Sequence, residues 1–241
     1  MFSIYTKELR SYFNSLIAYV VILVFLTSLG LYTWVFPQTV FDGEVADLYI
    51  MFNSIWMVFL FLIPAITMGT FSEENKTGTM ELLLTRPITE YQIILGKTLA
   101  AFSLVFFALL PTSVYVFTVY SLGNPVGNLD IAATTGSYLG ILLLALAFVS
   151  VGVFASSLTS NQIVAFILAL FMSIIFFDGI SYTSSLFNWS NSSYVIGQLG
   201  LNVHYENLSK GLIDAKDVIY MLSFSAFFVT ATRLNLASRK W

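Results

Sequence analysis

The chain has 241 residues, 58% of them hydrophobic and only 10% charged, with a net charge of −3. Soluble domains carry about 25% charged residues, so too few polar groups are present to clothe a water-soluble globule, and lipid must be part of the solvent. The charge excludes a strongly basic nucleic-acid binder, the absence of cysteine excludes disulfides and thiolate sites, and the single histidine, His204, leaves little for His-based catalysis or metal binding.

The N-terminal segment is amphipathic. Phe2, Tyr5, Leu9, Tyr12, Phe13 and Leu16 recur at helical spacing, while Lys7, Glu8, Arg10, Ser11 and Asn14 fall mostly on the other side. This predicts a helix lying in the membrane interface. A crossing helix needs roughly 20 uncharged residues to span about 30 Å. Leu16–Phe36 reads as the first span, and its long apolar stretch without a small-residue cleavage site is unlike a cleaved signal peptide. Ile50–Met68 reads as the second span, with Pro64 near one end, and Thr98–Leu122 as the third, with Pro111 inside it. Proline removes a ladder hydrogen bond and predicts kinks at both places.

From Ile131 to Phe177 no charge occurs, far too long a stretch for one helix. The polar run Ser156-Ser157-Leu158-Thr159-Ser160-Asn161-Gln162 divides it into Ile131–Leu158 and Ile163–Ile180, joined by a tight turn. The segment 181–217 is long for a connection and contains apolar stretches, which predicts short helices partly covering one end of the bundle. A short last span, Val218–Thr232, has Lys216 and Arg233 placed to snorkel at its ends. The expectation is an all-α membrane protein: one domain over residues 1–241, with six spans.

Orientation follows from Lys and Arg in the loops. The N-terminal segment (Lys7, Arg10), the second-to-third loop (Lys76, Arg86, Lys97) and the tail (Arg233, Arg239, Lys240) share one side. They hold eight of the ten basic residues, and only Lys210 and Lys216 lie opposite. Both termini are expected in the cytoplasm.

The stretch specified beyond hydrophobicity is Phe71–Thr89. Gly78-Thr79 breaks and restarts a helix with Thr79 as N-cap, Glu81 complements the new N-terminus, Arg86 closes the apolar run and Pro87 stops it. The prediction is a short cytoplasmic helix, about Met80–Thr85, docking a soluble partner through Leu82 and Leu83, with Glu73, Glu74, Glu81 and Arg86 orienting it.

At this point the sequence resembles a family. The stretch FSEENKTGTMELLLTRPITEYQIILGKTLA resembles the signature of type-2 ABC exporter permeases: acidic residues, then GT-x-E-LLL-x-x-P, then a GK opening the third span. The 156–162 turn and the amphipathic N-terminal helix are similar to the family's corresponding elements. His204-Tyr205-Glu206-Asn207 and Lys210-Gly211-Leu212-Ile213-Asp214 resemble the ending of the gliding-motility-associated subgroup. The resemblance implies a multi-pass permease of a bacterial inner membrane, working with a separate ABC ATPase subunit and a second permease, identical or paralogous. It places ATPase coupling on Glu73, Glu74, Gly78, Thr79, Glu81, Leu82, Leu83, Arg86 and Pro87. The cargo is open: export of a lipidic or amphipathic substrate, or mechanical work.

Other features read as structural. Gly96-Lys97-Thr98 lacks the first P-loop glycine, Tyr91 standing in its place, and no strand precedes it, so Lys97 reads as a snorkelling anchor and this chain as no ATPase. Gly136 and Gly140 form a close-packing face, within the subunit in preference to between subunits. His204 reads as a solvated or loop-packing residue rather than a ligand or proton relay. The Glu73/Glu74 pair reads as a solvated face for a partner rather than an acid–base or metal site. No catalytic residue, metal or cofactor is expected. An intramembrane enzyme lacks its residues, and an ion-coupled secondary transporter, the alternative, lacks ionisable groups at depth apart from Asp178.

Overall fold

The computed structural model describes residues 1–36, 40, 46–84, 88–186 and 196–238; at 17, 82–84 and 185–186 it describes the backbone alone. Among these residues every regular element is helical. Helix α1 (Phe2–Asn14) is followed by α2 (Leu16–Trp34), α3 (Tyr49–Thr67), α4 (Gly69–Thr77) and α5 (Thr79–Leu84). Next come α6 (Glu90–Leu109), a tight turn at Leu110–Thr112, α7 (Ser113–Leu122) and α8 (Ile131–Leu158). The chain continues through α9 (Gln162–Ile174), a π-turn at Ile175–Gly179, α10 (Ile180–Leu186), α11 (Leu201–Ser209) and α12 (Ala215–Ser238). Five helical stretches are long and apolar enough to cross a membrane, and a sixth candidate is α1 with α2, bent 71° to each other. The chain is a multi-pass, all-α membrane protein.

Helix α8 is the central post. The helices α3, α4, α6, α9, α11 and α12 all pack on it. Its sequence explains this, because small residues let other backbones approach closely. A Cβ at Gly136 would lie 2.6 Å from the Gly211 carbonyl oxygen, and one at Gly140 would lie 2.6 Å from Leu208 Cβ. A Cβ at Gly152 would collide with the Thr67 hydroxyl. The 136/140 pair therefore packs α11 onto α8 inside the subunit, and Ser137 Oγ adds a 2.9 Å bond to the Ser209 carbonyl. Asp130 caps the start of α8 by accepting from Ala133 N, and Asn161 caps α9 by accepting from Ile163 N. The expected division of the long apolar interval is thus observed, as are the break at Pro111 and a helix in the 181–217 segment.

Three expectations change. The third span begins at Glu90 rather than Thr98, because Thr89 and Gln92 form a reciprocal capping box that starts the helix two turns earlier. Residues 69–77, expected as loop, continue the second span as α4. The last helix runs 24 residues rather than 15, from Ala215 to Ser238. There Arg233 pairs with Glu90 at 3.4 Å and stacks on Tyr91, and Lys216 pairs with Asp214 at 3.2 Å.

The loops fall at two opposite ends. Residues 46–49, 127–130 and 209–210 line one open cleft. Around the other end gather α1, α4, the start of α6, the α8–α9 turn and the end of α12, through the contacts described next.

Candidate functional site

Lys97 is the pivot of that second end. Its capping box places it seven residues, about 10 Å, inside α6, and its side chain is only 2% exposed. Such a cation must be fully partnered. The ammonium has three donors, and they go to the Thr70 carbonyl at 2.6 Å, Glu74 Oε1 at 2.9 Å and Glu8 Oε1 at 3.1 Å. The Phe71 ring lies below, 5.2 Å from Nζ. Exposed Lys7 stands 3.6 Å from Glu8 and 3.9 Å from Glu74, so two cations balance two carboxylates. One side chain thus joins α1, α4 and α6. Lys97 is an internal hub rather than a snorkelling anchor. Glu74, 16% exposed at its side chain, is one of the hub's ligands rather than part of a solvated face.

Helix α1 is held by more than this ion pair. Ile4 is buried against Gly96, Tyr5 Oη bonds Ser103 Oγ at 3.1 Å, Tyr12 Oη donates to the Ile66 carbonyl at 3.3 Å, and Phe13 packs edge-on to Phe107. Burial, and then the nearby Glu8 carboxylate, push the Tyr12 phenol above its ordinary range, so it remains a donor. Much of the amphipathic helix's apolar face is therefore spent on the protein itself.

The junction of α3 and α4 is organised from α8. Ser156 Oγ, fully buried, accepts from Phe71 N at 3.0 Å and Ser72 N at 3.1 Å, and donates to the Met68 carbonyl at 2.8 Å. The Ser72 hydroxyl also bonds the Met68 carbonyl, and the Thr70 hydroxyl bonds that of Thr67. These hydroxyls occupy the carbonyls that a continuous helix would offer to the Phe71 and Ser72 amides. Side-chain insertion into the ladder is a known cause of a helix break. Nearby, Asn75 Nδ2 donates to the Thr159 carbonyl at 3.2 Å, and Asn235 Nδ2 to the Ser157 carbonyl at 2.8 Å. The α8–α9 turn is thereby tied to α4 on one side and α12 on the other.

Of the residues expected to contact a partner, Glu73, Glu74, Gly78, Thr79 and Glu81 lie on or beside α4 and α5. Gly78 is exposed and adopts a left-handed conformation, φ +69°, that ends α4 and turns the chain into α5. Thr79 is the first residue of α5 rather than its cap, its hydroxyl 2.9 Å from that of Thr77. Glu81 is exposed in the first turn. Leu82 and Leu83 belong to α5 by backbone, and Arg86 and Pro87 lie outside the described residues, as does Thr85 at the expected helix end. Helix α5 is six residues long. Beside it, between α1 and α4, runs a cleft lined by Ser3, Lys7, Glu73, Thr77 and Thr79 among others.

Sequence reasoning missed Lys97, Glu8 and Ser156 as structural pivots. The Thr89-x-x-Gln92 signal was available for the first of these. Nothing local marks Glu8 or Ser156. The expectation of spans free of ionisable groups apart from Asp178 is also corrected, since Lys97 and Asp217 are buried within α6 and α12. Among the described residues, no group of three or more His, Cys, Asp or Glu is placed to hold a metal.

No curated protein matches the chain. A family model does: that of the ABC-2 family transporter proteins matches residues 2–209, from α1 through α11, and leaves α12 outside. That match takes in the Lys97 hub, α4, α5 and the Ser156 turn; the chain belongs to the ABC-2 family of transporter proteins.

Proposed function

We propose that the chain is the membrane-spanning permease subunit of an ATP-driven exporter, powered by a separate ATPase subunit and paired with a second permease, identical or paralogous. The observation that carries this reading is the mechanical continuity of the Lys97 end. A short helix, α5, projects from α4. The α4 helix is fastened to α1 and α6 by Lys97 and to α8 by Ser156. A push on α5 is therefore delivered to four helices together, with little slack. That is the property a permease needs when energy arrives from a soluble partner.

In this reading α5 is the docking element, with Leu82 and Leu83 as apolar anchors and Glu73, Glu81 and Arg86 orienting the partner. Apolar anchors dominate such contacts, and exposed charges add about 1 kcal/mol or less each. The segregation of basic residues supports a cytoplasmic Lys97 end and cytoplasmic termini, and the family resemblance supports a bacterial inner membrane. For the work done we infer movement of an amphipathic cargo or mechanical work at the envelope. The mechanical option rests on the resemblance of residues 204–214 to the gliding-motility-associated subgroup.

The test is co-purification from native membranes with a tagged chain, followed by mass spectrometry. The unchanged chain is expected to bring down an ABC ATPase, and Leu83→Asp to lose it while still inserting. Full ATPase binding and full transport-linked ATP hydrolysis in Leu83→Asp would overturn the docking assignment. Transport driven by a proton or sodium gradient without ATP would favour the ion-coupled alternative.

A further inference from the structure

At the opposite end of the bundle, a buried pair has no part in the coupling described above. His204, on α11, is 8% exposed, and Asp217, in the first turn of α12, is 1% exposed. Of the two roles expected for His204, solvated or packing, the structure shows the packed one: it is buried with three contacts. His204 Nδ1 lies 2.7 Å from Asp217 Oδ1, Nε2 lies 2.9 Å from the Gln198 carbonyl oxygen, and the ring stacks on Tyr220 with centroids 4.0 Å apart. Asp217 Oδ2 accepts from Asn207 Nδ2 at 3.0 Å.

Counting protons decides what this arrangement needs. A carbonyl oxygen only accepts, so Nε2 must carry a hydrogen. A carboxylate also only accepts, so an ionised Asp217 requires a hydrogen on Nδ1 as well. Both bonds exist only as imidazolium with carboxylate, or as imidazole with carboxylic acid, and each form holds the same one extra proton. Remove it, and one ring nitrogen turns a lone pair toward an acceptor.

We propose that His204 and Asp217 form a proton-binding site that clamps α11 and the Gln198 turn to α12, and that loss of the proton to water opens the clamp. The pair then goes from net neutral to net −1. Other titratable or charged groups on the packed elements have partners elsewhere. From the π-turn, Asp178 bonds Asn202; on α11, Tyr205 bonds the Phe52 carbonyl of α3 and Glu206 pairs with Lys210. On α12, Tyr220 Oη bonds the Leu199 carbonyl, and Lys216 pairs with Asp214 just before the helix. On α8, Tyr138 bonds Thr112. Because Gly136, Gly140 and Ser137 still hold α11 to α8, the release is confined to the α11–α12 seam. The clamp stands independently of the transport reading. That the water exchanging the proton lies on the outer side of the membrane rests on the topology proposed there.

His204 is the only histidine, so in the full detergent-solubilised chain a nitrogen-15 label on histidine reports one imidazole. Its signal is expected to move in one step as pH is raised from the acid to the alkaline range in which the chain stays folded. Amide exchange at residues 198–207 and 217–220, after correction for its intrinsic rise with pH, is expected to increase about tenfold or more in the same step, as for loss of a buried hydrogen bond. Asp217→Asn supplies an amide that donates to Nδ1 while accepting from Asn207, so a neutral ring satisfies every bond. This variant is expected to stay closed across the range. Corrected exchange that stays flat across the range in the unchanged chain, or a seam that stays protected after the pair has lost its proton, overturns the proposal. So does an Asp217→Asn chain that keeps the same step. Should that variant fail to fold, the two measurements on the unchanged chain decide alone.

Discussion

Glu8 and Lys97, 89 residues apart in sequence, meet at 3.1 Å, and their bond fastens the N-terminal helix to the third span. The same ammonium holds Glu74 at 2.9 Å, so the helix leading to α5 is fixed at the same point. The N-terminal helix is thereby fastened at the same point as the helix that leads to α5.

Lys97→Met keeps the length of the side chain and removes its charge. It leaves Glu8 and Glu74, 14% and 16% exposed at their side chains, facing each other without the cation. Removing one partner of a buried ion pair costs about 3–5 kcal/mol. Thermal unfolding in detergent is expected to fall accordingly, and adding Glu8→Gln with Glu74→Gln is expected to recover much of the loss. Lys97→Met as stable as the parent chain would show that the hub holds nothing. By the same argument, Glu74→Ala is more damaging than substitution of an exposed charge.

Gly78 offers a cleaner experiment, because nothing lies within 4 Å of a Cβ built there. Any penalty is then backbone strain at φ +69°, about 1–2 kcal/mol for an ordinary L residue and less for Asn. The expected order of ATPase recovery in pull-downs is Gly, Asn, Ala, then Val. Equal performance of Val and Asn would mean the left-handed turn is dispensable.

Much of this was legible in the sequence, and what was not has an identifiable cause. Helix α8 runs over the very residues expected, Ile131–Leu158, because Asp130 and the Thr159-Ser160-Asn161 turn punctuate it at both ends. Gly78 announced its turn, and Gly136 and Gly140 their packing face. Hydropathy sees lipid and water but not partners, so the polar run Ser72–Thr77 read as loop although α8 and α6 order it as α4. Lys97 read as a membrane anchor because its two carboxylates come from distant positions. His204 and Asp217 are only 13 residues apart. They meet because the intervening turn passes through Gly211 at φ +77°, packed against Ala133 of α8, a closeness no local pattern records.

The two-ended arrangement of loops makes topology directly testable, and the absence of native cysteine keeps the assay free of background. Val126 and Leu212, 72% and 62% exposed, are expected to react as single cysteines with an impermeant thiol reagent added to intact cells. Thr77 and Ser238, exposed at the other end, are expected to react only after the membrane is opened. Labelling of Thr77→Cys in intact cells contradicts six spans with cytoplasmic termini.

Ser156→Ala separates stability from coupling. The substitution removes the acceptor used by Phe71 N and Ser72 N and one donor to the Met68 carbonyl, all in a buried setting. If the amides stay where they are, two donors lose their partner, at about 1–3 kcal/mol for each buried group left unsatisfied. The chain has an escape, however. With the serine gone, those amides can turn back to the Thr67 and Met68 carbonyls, which extends α3 straight into α4 and limits the loss of stability. Straightening swings α4, and with it Gly78 and α5, away from the position set by Asn75 and Lys97. The expected result is therefore a modest drop in thermal stability together with a much larger drop in transport-linked ATP hydrolysis. Ser156→Gly, which also lacks the hydroxyl but costs about 1 kcal/mol more in a helix, is expected to show the same coupling defect with lower stability. Loss of stability and hydrolysis in strict proportion across the two variants would show that Ser156 supports the fold without setting the angle at which α5 is presented.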